Sequence, residues 1–322
     1  MACLALGAAF HPLFDALKRP PGDIAAHVRM AQALPDPLEP GALVAALLRP
    51  ARSEEHRYRA LPGFQLLVLA AAGFSRRLPT LLAAAIVVLT AAAVAKFAVS
   101  VHALERELRF QAALPLALVL TFLAPITLPW GGHPLVAGRS PVHLGQVSGL
   151  IIHNPTTIAV FPLSILLFVK SWQERLVASS LLAAGQCLIK PNFVLAWMPA
   201  FVLMQGWRHG WGRAAARNCV LALGLPVLVL AFQYRISSEL GQGFSFAPLL
   251  AWREHSPNIP LSVLRSIAFP ALFAAVYWQR IRRDGELWFA WAILAVATLQ
   301  YALLVVDRPG YRGDWSWGRY LA

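Results

Sequence analysis

Charge is scarce in this chain. Only 13% of its 322 residues are Asp, Glu, Lys or Arg, and just 15 of them are acidic. Soluble domains carry about 25% charged residues, so a chain wetted over its whole surface is excluded. Cysteine is nearly absent as well. Cys3, Cys187 and Cys219 form no CxxC pair and lie in apolar stretches, which excludes a disulfide scaffold or a thiolate metal site. There is no zinc-ligand spacing, no Gly-rich phosphate loop and no GxSxG elbow. No internal repeat at a fixed period is visible, which argues against a transporter built from inverted repeats.

Apolar residues dominate instead. They make up 58% of the chain, and the mean hydropathy is +0.59. The expected fold class is therefore all-α, a polytopic integral membrane helical bundle of about 8–9 membrane segments. Residues 1–322 read as a single transmembrane domain. Its spans fall at 78–100, 110–130, 155–169, 176–189, 193–206, 218–234, 261–279 and 287–306. Pro155, Pro162 and Pro191 mark the segments 155–169 and 176–189 as parts of broken or tilted helices.

The net charge of +13 raises the question of nucleic acid, but no basic stripe with interleaved aromatics supports one. The basic residues instead sit in short loops at 105–109, 170–175, 207–217 and 280–286, the positive-inside pattern of cytoplasmic loops. Residues 18–77, 131–154, 190–192, 235–260 and 307–322 then share the outer face. Within 18–77, the stretch 24–34 has helical apolar spacing and reads as an amphipathic helix lying on the membrane. Residues 61–74 suit an interfacial helix. Residues 2–17 are short for a span and follow no positive n-region, and Trp315–Ala322 stops as another span would begin, so the chain reads as a fragment at one or both ends.

The polar groups worth attention all fall on that outer face. Asp23 and His27 are one helical turn apart and share a face. Asp23 suits a general base, because desolvation raises a carboxylate's proton affinity, and it equally suits a helix N-cap. His27 can orient that acid or bind phosphate when protonated; an exposed surface histidine is the plainer alternative. Lys190 ends a long apolar run before Pro191, so its amine either snorkels to the interface or meets an anion. His153 and Asn154 precede Pro155 at a helix start, where Asn154 can cap and the N-terminus can attract an anion. His143 and Gln146 carry weaker signals. Arg312 lies among Asp307, Tyr311, Asp314 and Trp315; it can hold a phosphate or belong to an interface belt.

Several of these stretches together carry a resemblance. Gly22-Asp23-x-x-x-His27, the apolar segment after it and Ser75-Arg76-Arg77-Leu78-Pro79 resemble the C-type membrane glycosyltransferases. Leu144-Gly145-Gln146 and Ile189-Lys190-Pro191 resemble motifs of their polyprenyl-phosphate-mannose-dependent members. The resemblance implies a polyprenyl-phosphate-linked sugar as donor, an inverting transfer on the outer face of the plasma (inner) membrane, and a glycan, lipid or protein acceptor. It casts Asp23 as the catalytic acid-base with His27 beside it, and Lys190 as a group holding the lipid phosphate. Gln146 falls within the resembling motif; His153, Asn154 and Arg312 join the phosphate-binding set on their own chemistry. No cofactor or metal site is called for, and a divalent cation is left open. The chain departs from many members in two ways: Asp36 and Glu39, amid prolines, are its candidates for a second acid, and no soluble domain follows the spans within residues 1–322. Two other classes stay open beside the transferase. One is a transporter or flippase of a lipid-linked or anionic substrate; the other is a non-catalytic membrane subunit of an envelope polysaccharide system.

Overall fold

The computed structural model describes residues 22–35, 62–106, 108–122, 155–239, 243–250, 258–308 and 311–314, with the single positions 39, 41, 45 and 253. Among these, ten helices run in chain order: α1 (Gly22–Ala33), α2 (Gly63–Ala71), α3 (Leu78–Leu104), α4 (Phe110–Phe122), α5 (Pro155–Trp172), α6 (Leu176–Ile189), α7 (Asn192–His209), α8 (Arg213–Glu239), α9 (Ile259–Ile281) and α10 (Gly285–Leu303). Four of them, α3, α5, α8 and α10, are long and apolar enough to cross a membrane, and α6 is a shorter apolar helix. Large apolar side chains stay exposed along these helices, among them Val87, Leu181, Val220 and Leu228. Such a surface is stable against lipid tails and not against water. The protein is membrane-embedded.

Local sequence explains most helix ends. Pro79 sits in the first turn of α3, where its fixed φ suits a helix and its missing N–H costs nothing. At 27 residues α3 rises about 40 Å, more than the ~30 Å hydrocarbon thickness of a bilayer. Asp284 caps α10, accepting from the N–H groups of Glu286 at 2.9 Å and Leu287 at 3.2 Å. Between α6 and α7 the chain opens at Lys190, whose φ of −162° and ψ of 111° are extended. The following proline enforces this, because its ring disfavours helical geometry in the residue before it.

Three expectations are corrected. Pro162 does not break its segment: α5 runs unbroken from 155 to 172 through it. The apolar face of α1 does not lie on lipid, because Ile24, Val28, Ala31 and the following Leu34 are buried against α2 and α3. The bundle is also not purely α. Strands β1 (Gly243–Phe246), β2 (Leu304–Arg308) and β3 (Tyr311–Asp314) form an antiparallel sheet in the order β1-β2-β3. The last helix therefore ends at Leu303, and Val305 and Val306 of the expected span belong to β2.

The interior has two main parts. One joins α1, α2 and α3 to the first residues of α5 and the last of α6. The other, centred on Trp197 and Phe201 of α7, joins α5, α6, α8 and α10. Side-chain amides tie this second part across helices. Gln233 donates to the Cys187 carbonyl at 2.6 Å, Gln300 to the Leu195 carbonyl at 3.0 Å, and Asn218 to Gln205 at 2.9 Å. Such bonds are worth about 0.6 kcal/mol each inside a membrane, where apolar contact alone gives helices little reason to associate.

The α5–α6 hairpin carries a polar seam. Thr157, Ser164 and Ser171 are spaced seven apart on α5 and so fall on one face. Thr157 accepts from Lys190 at 2.8 Å, Ser164 pairs with Gln186, and Ser171 with Ser179 at 3.3 Å. The indole N–H of Trp197 then donates to the Ser171 hydroxyl at 2.9 Å, locking α7 onto the seam.

The turn of this hairpin is closed by charge. Glu174, at φ 56°, holds the chain in the left-handed region. It accepts from Arg208 at 3.2 Å and from His209 at 2.8 Å. Partial burial pushes the Glu174 carboxyl up, but the bonds and charges of His209 and Arg208 outweigh it and hold the group below its usual range. A carboxyl depressed in the folded state stabilises above its unfolded pKa of about 4.3 and loses that contribution as pH falls through the folded value. Thermal melts in detergent are therefore expected to fall below pH ~4.3, with a smaller acid drop in Glu174→Gln; an unchanged drop would show that other carboxylates control it.

Candidate functional site

The break at Lys190 lies where the first interior cluster meets the α5–α6 seam. Lys190 is 8% exposed, and Thr156, Thr157, Gln186 and Asn192 around it are buried too. An ammonium so placed is costly unless polar groups or an anion surround it. The start of α5 presents the Thr157 hydroxyl to it at 2.8 Å. Gln186, one turn earlier on α6, has a buried carbonyl oxygen without a hydrogen-bond partner.

Helix α2 is pressed against this break. A Cβ added at Gly63 would stand 2.8 Å from Ile189 Cγ1 and 3.0 Å from the Leu188 carbonyl carbon and oxygen. Only glycine allows α2 to start so close to the end of α6. Two residues on, Gln65 is 1% exposed and reaches back to α1. Its amide nitrogen lies 3.0 Å from His27 Nδ1 and 3.7 Å from the Met30 sulfur. Phe64 meets the His27 ring edge-on, centroids 5.5 Å apart. With the amide N–H donating, Nδ1 accepts, and a neutral His27 keeps its proton on Nε2. The Gln65 carbonyl oxygen is buried without a partner. Rotating that amide would let it accept from a protonated Nδ1, so the pair has a bonded arrangement for either charge state.

The fold thus gathers His27 and Lys190, 163 positions apart, around one packed junction of α1, α2, α5 and α6. Asp23 lies in the first turn of α1, one turn before His27. Negative charge is favoured at that helix position. Arg312 lies on β3, in register with Asp307 of β2. The side chains of Asp23 and Arg312 fall outside the described part of the structure. His143, Gln146, His153 and Asn154 lie outside the described residues, as does the candidate second acid Asp36. Glu39 is exposed.

One group escaped the sequence reading. Lys96 lies in the last third of the long apolar helix α3, and its amine sits 4.5 Å from the centre of the Phe161 ring. Phe161 is one turn beyond Thr157 on α5, so the two lysines meet α5 on neighbouring turns. The sequence signal was present: Lys96 is the one charged residue between Leu78 and Ser100, and a cation inside a span is rare without a function. The pattern of Thr157, Ser164 and Ser171 was equally visible as three hydroxyls at spacing seven. Among the described residues, no group of three or more His, Cys, Asp or Glu side chains stands together to hold a metal. Compared with known protein families, curated proteins and solved structures, the chain matches none of them.

Proposed function

We propose that this protein is a membrane glycosyltransferase that moves a sugar from a polyprenyl-phosphate donor to an acceptor on the outer face of the membrane. The observation that carries the proposal is the junction itself, where α1, with its Asp23–His27 turn, packs on α2, and α2 in turn abuts the helix break that buries Lys190. Such a transfer needs two things. A base must take the proton of the acceptor hydroxyl as it attacks the anomeric carbon. Fixed positive charge must also stand where the departing lipid phosphate develops its charge.

Asp23 takes the first part and His27 orients or assists it. Lys190, with Lys96 of α3 over Phe161 one turn along α5, takes the second. A buried ammonium suits that task, since it acts at low dielectric and is already desolvated when charge develops. The Thr157 hydroxyl fixes its direction. Attack by the acceptor from the face opposite the phosphate inverts the anomeric centre, and the phosphate leaves on its polyprenyl chain. Gln146 is assigned to the donor phosphate on the resemblance and His153, Asn154 and Arg312 on their chemistry, and eight or nine membrane segments remain the expected full complement.

One observation favours a second reading. A helix interrupted at a buried polar residue, as at Lys190-Pro191, is also how transporters build ion and substrate sites. Topology separates the transferase from many alternatives. Single cysteines placed at the exposed positions Ala26 and Arg76 are expected to react with an impermeant maleimide in intact cells, and cysteine at Arg282 only after permeabilisation. The reverse labelling would put the Asp23–His27 turn in the cytoplasm and end the proposal.

A further inference from the structure

The three-stranded sheet stands where two apolar helices end. On α8, Arg217 and Arg235 bracket an uncharged run that rises about 27 Å, close to the ~30 Å hydrocarbon thickness of a bilayer. Near its end Val227, Ala231 and Tyr234 are exposed at spacings of four and three, so they form one apolar stripe. The surface then turns polar: Arg235 pairs with Glu239 at 3.5 Å, one turn on. Helix α10 rises about 28 Å and passes directly into β2 at Leu304. Both helices therefore reach the edge of the hydrocarbon where the sheet begins.

The two faces of the sheet differ. Ser245 pairs in register with Val305, and Val305 is buried with Tyr301 against Ala247, Leu250 and Ile259. Side chains alternate along a strand, so Phe244 and Phe246 lie on the other face. They are 54% and 70% exposed. Tyr234, the last residue of the α8 stripe, stacks on Phe244 with the rings 13° from parallel and centroids 6.5 Å apart. The aromatic face of the sheet thus continues the lipid-facing surface of α8. It does not continue into hydrocarbon, because β1 is an edge strand. An open edge leaves backbone N–H and C=O groups that lipid tails do not satisfy. The headgroup layer suits both features: it offers hydrogen-bond partners to the edge and an apolar boundary to the rings.

We propose that this aromatic face is a bilayer-docking surface. Phe244, Phe246 and Tyr234 seat in the headgroup layer of the phospholipid leaflet at this end of the bundle, and the sheet lies along the membrane. Lipid is the occupant because the face is continuous with a surface that lipid already covers. The docking owes nothing to the transferase reading.

The test places one nitroxide label at a time on the full chain in phosphatidylcholine liposomes, with the native cysteines replaced by alanine. It measures collisions with oxygen, which partitions into lipid, and with a nickel chelate, which stays in water. Labelled Phe246→Cys is expected to favour oxygen, as labelled Leu228→Cys does, and labelled Ser238→Cys to favour nickel. Adding Phe244→Ser should raise nickel access at position 246 severalfold. Nickel access at 246 equal to that at 238 puts the face in water, open or offered to a soluble glycan, and overturns the inference. Dipolar broadening between labels at 246 assigns the face to a second copy and overturns it too, as does a depth unchanged by Phe244→Ser. Should the cysteine-free chain fail to fold, hydroxyl-radical footprinting of wild type in nanodiscs decides. Phe246 must then be protected as well as Leu228, and oxidation in keeping with its 70% exposure counts against the docking.

Discussion

Replacing Lys190 with Met is expected to lower sugar transfer by about 10²–10³-fold while leaving the protein as stable as before, or slightly more so. The loss follows from removing a preplaced charge from the leaving phosphate, an effect of the size seen when one donor to a developing anion is removed. The stability expectation follows from burial. Lys190 is 8% exposed, and a buried ammonium replaced by an apolar chain of similar length sheds its desolvation penalty. A purely structural lysine would behave in the opposite way, with lower thermal stability and activity falling only with the folded fraction. Initial rates and melting temperature of the same preparation separate the two. Lys96→Met should show the same pattern with a smaller loss, since its amine rests on an aromatic face.

Trp197→Ala is expected to be the most damaging change to the fold, costing about 3–5 kcal/mol. The indole is fully buried at the centre of the second interior cluster. It lies 5.1 Å from the Phe201 ring and donates to Ser171 at 2.9 Å. Removing it opens a cavity and unlocks α7 from the α5–α6 seam together. Trp197→Phe keeps most of the volume and loses only the N–H, so about 1 kcal/mol is expected. Ser171→Ala strands that N–H in an apolar surround and should cost about 1–3 kcal/mol. Because the two residues share one bond, the double variant Ser171→Ala/Trp197→Phe should lose less than the sum. Unfolding in mixed micelles by a graded fraction of denaturing detergent measures each value; strict additivity would remove the indole–serine bond from the account.

How far the sequence foretold these features depended on the kind of signal. The spans read at 78–100 and 218–234 were legible because long apolar runs between basic loops have no other stable form in lipid; the helices there extend to Leu78–Leu104 and Arg213–Glu239. The extended backbone at Lys190 followed from Pro191, and α1 followed from apolar spacing at Ile24, Val28 and Ala31. What covers that apolar face was not legible, because lipid and protein select the same residues. The sheet was missed for a related reason: Leu304-Val305-Val306 continues an apolar run, and its partner β1 lies about sixty residues earlier. Periodicity does not tell a short strand from the last turn of a helix. For the site, the type of residue was legible and the neighbourhood was not. Nothing local to His27 predicts Gln65 as its partner, and nothing local to Lys190 predicts Thr157. Both depend on how α2 and α5 pack, and so on Gly63 and on the hydroxyl seam.

The account's central claim is that the protein makes a covalent glycosidic product. The direct measurement is transfer of radiolabelled sugar from a polyprenyl-phosphate donor by the purified full chain in proteoliposomes, with wild type beside Asp23→Asn. The account predicts labelled acceptor with wild type and none above background with Asp23→Asn, whose folding and membrane insertion are intact. Labelled lipid that crosses the bilayer with no covalent product, or transfer that persists undiminished in Asp23→Asn, would contradict it.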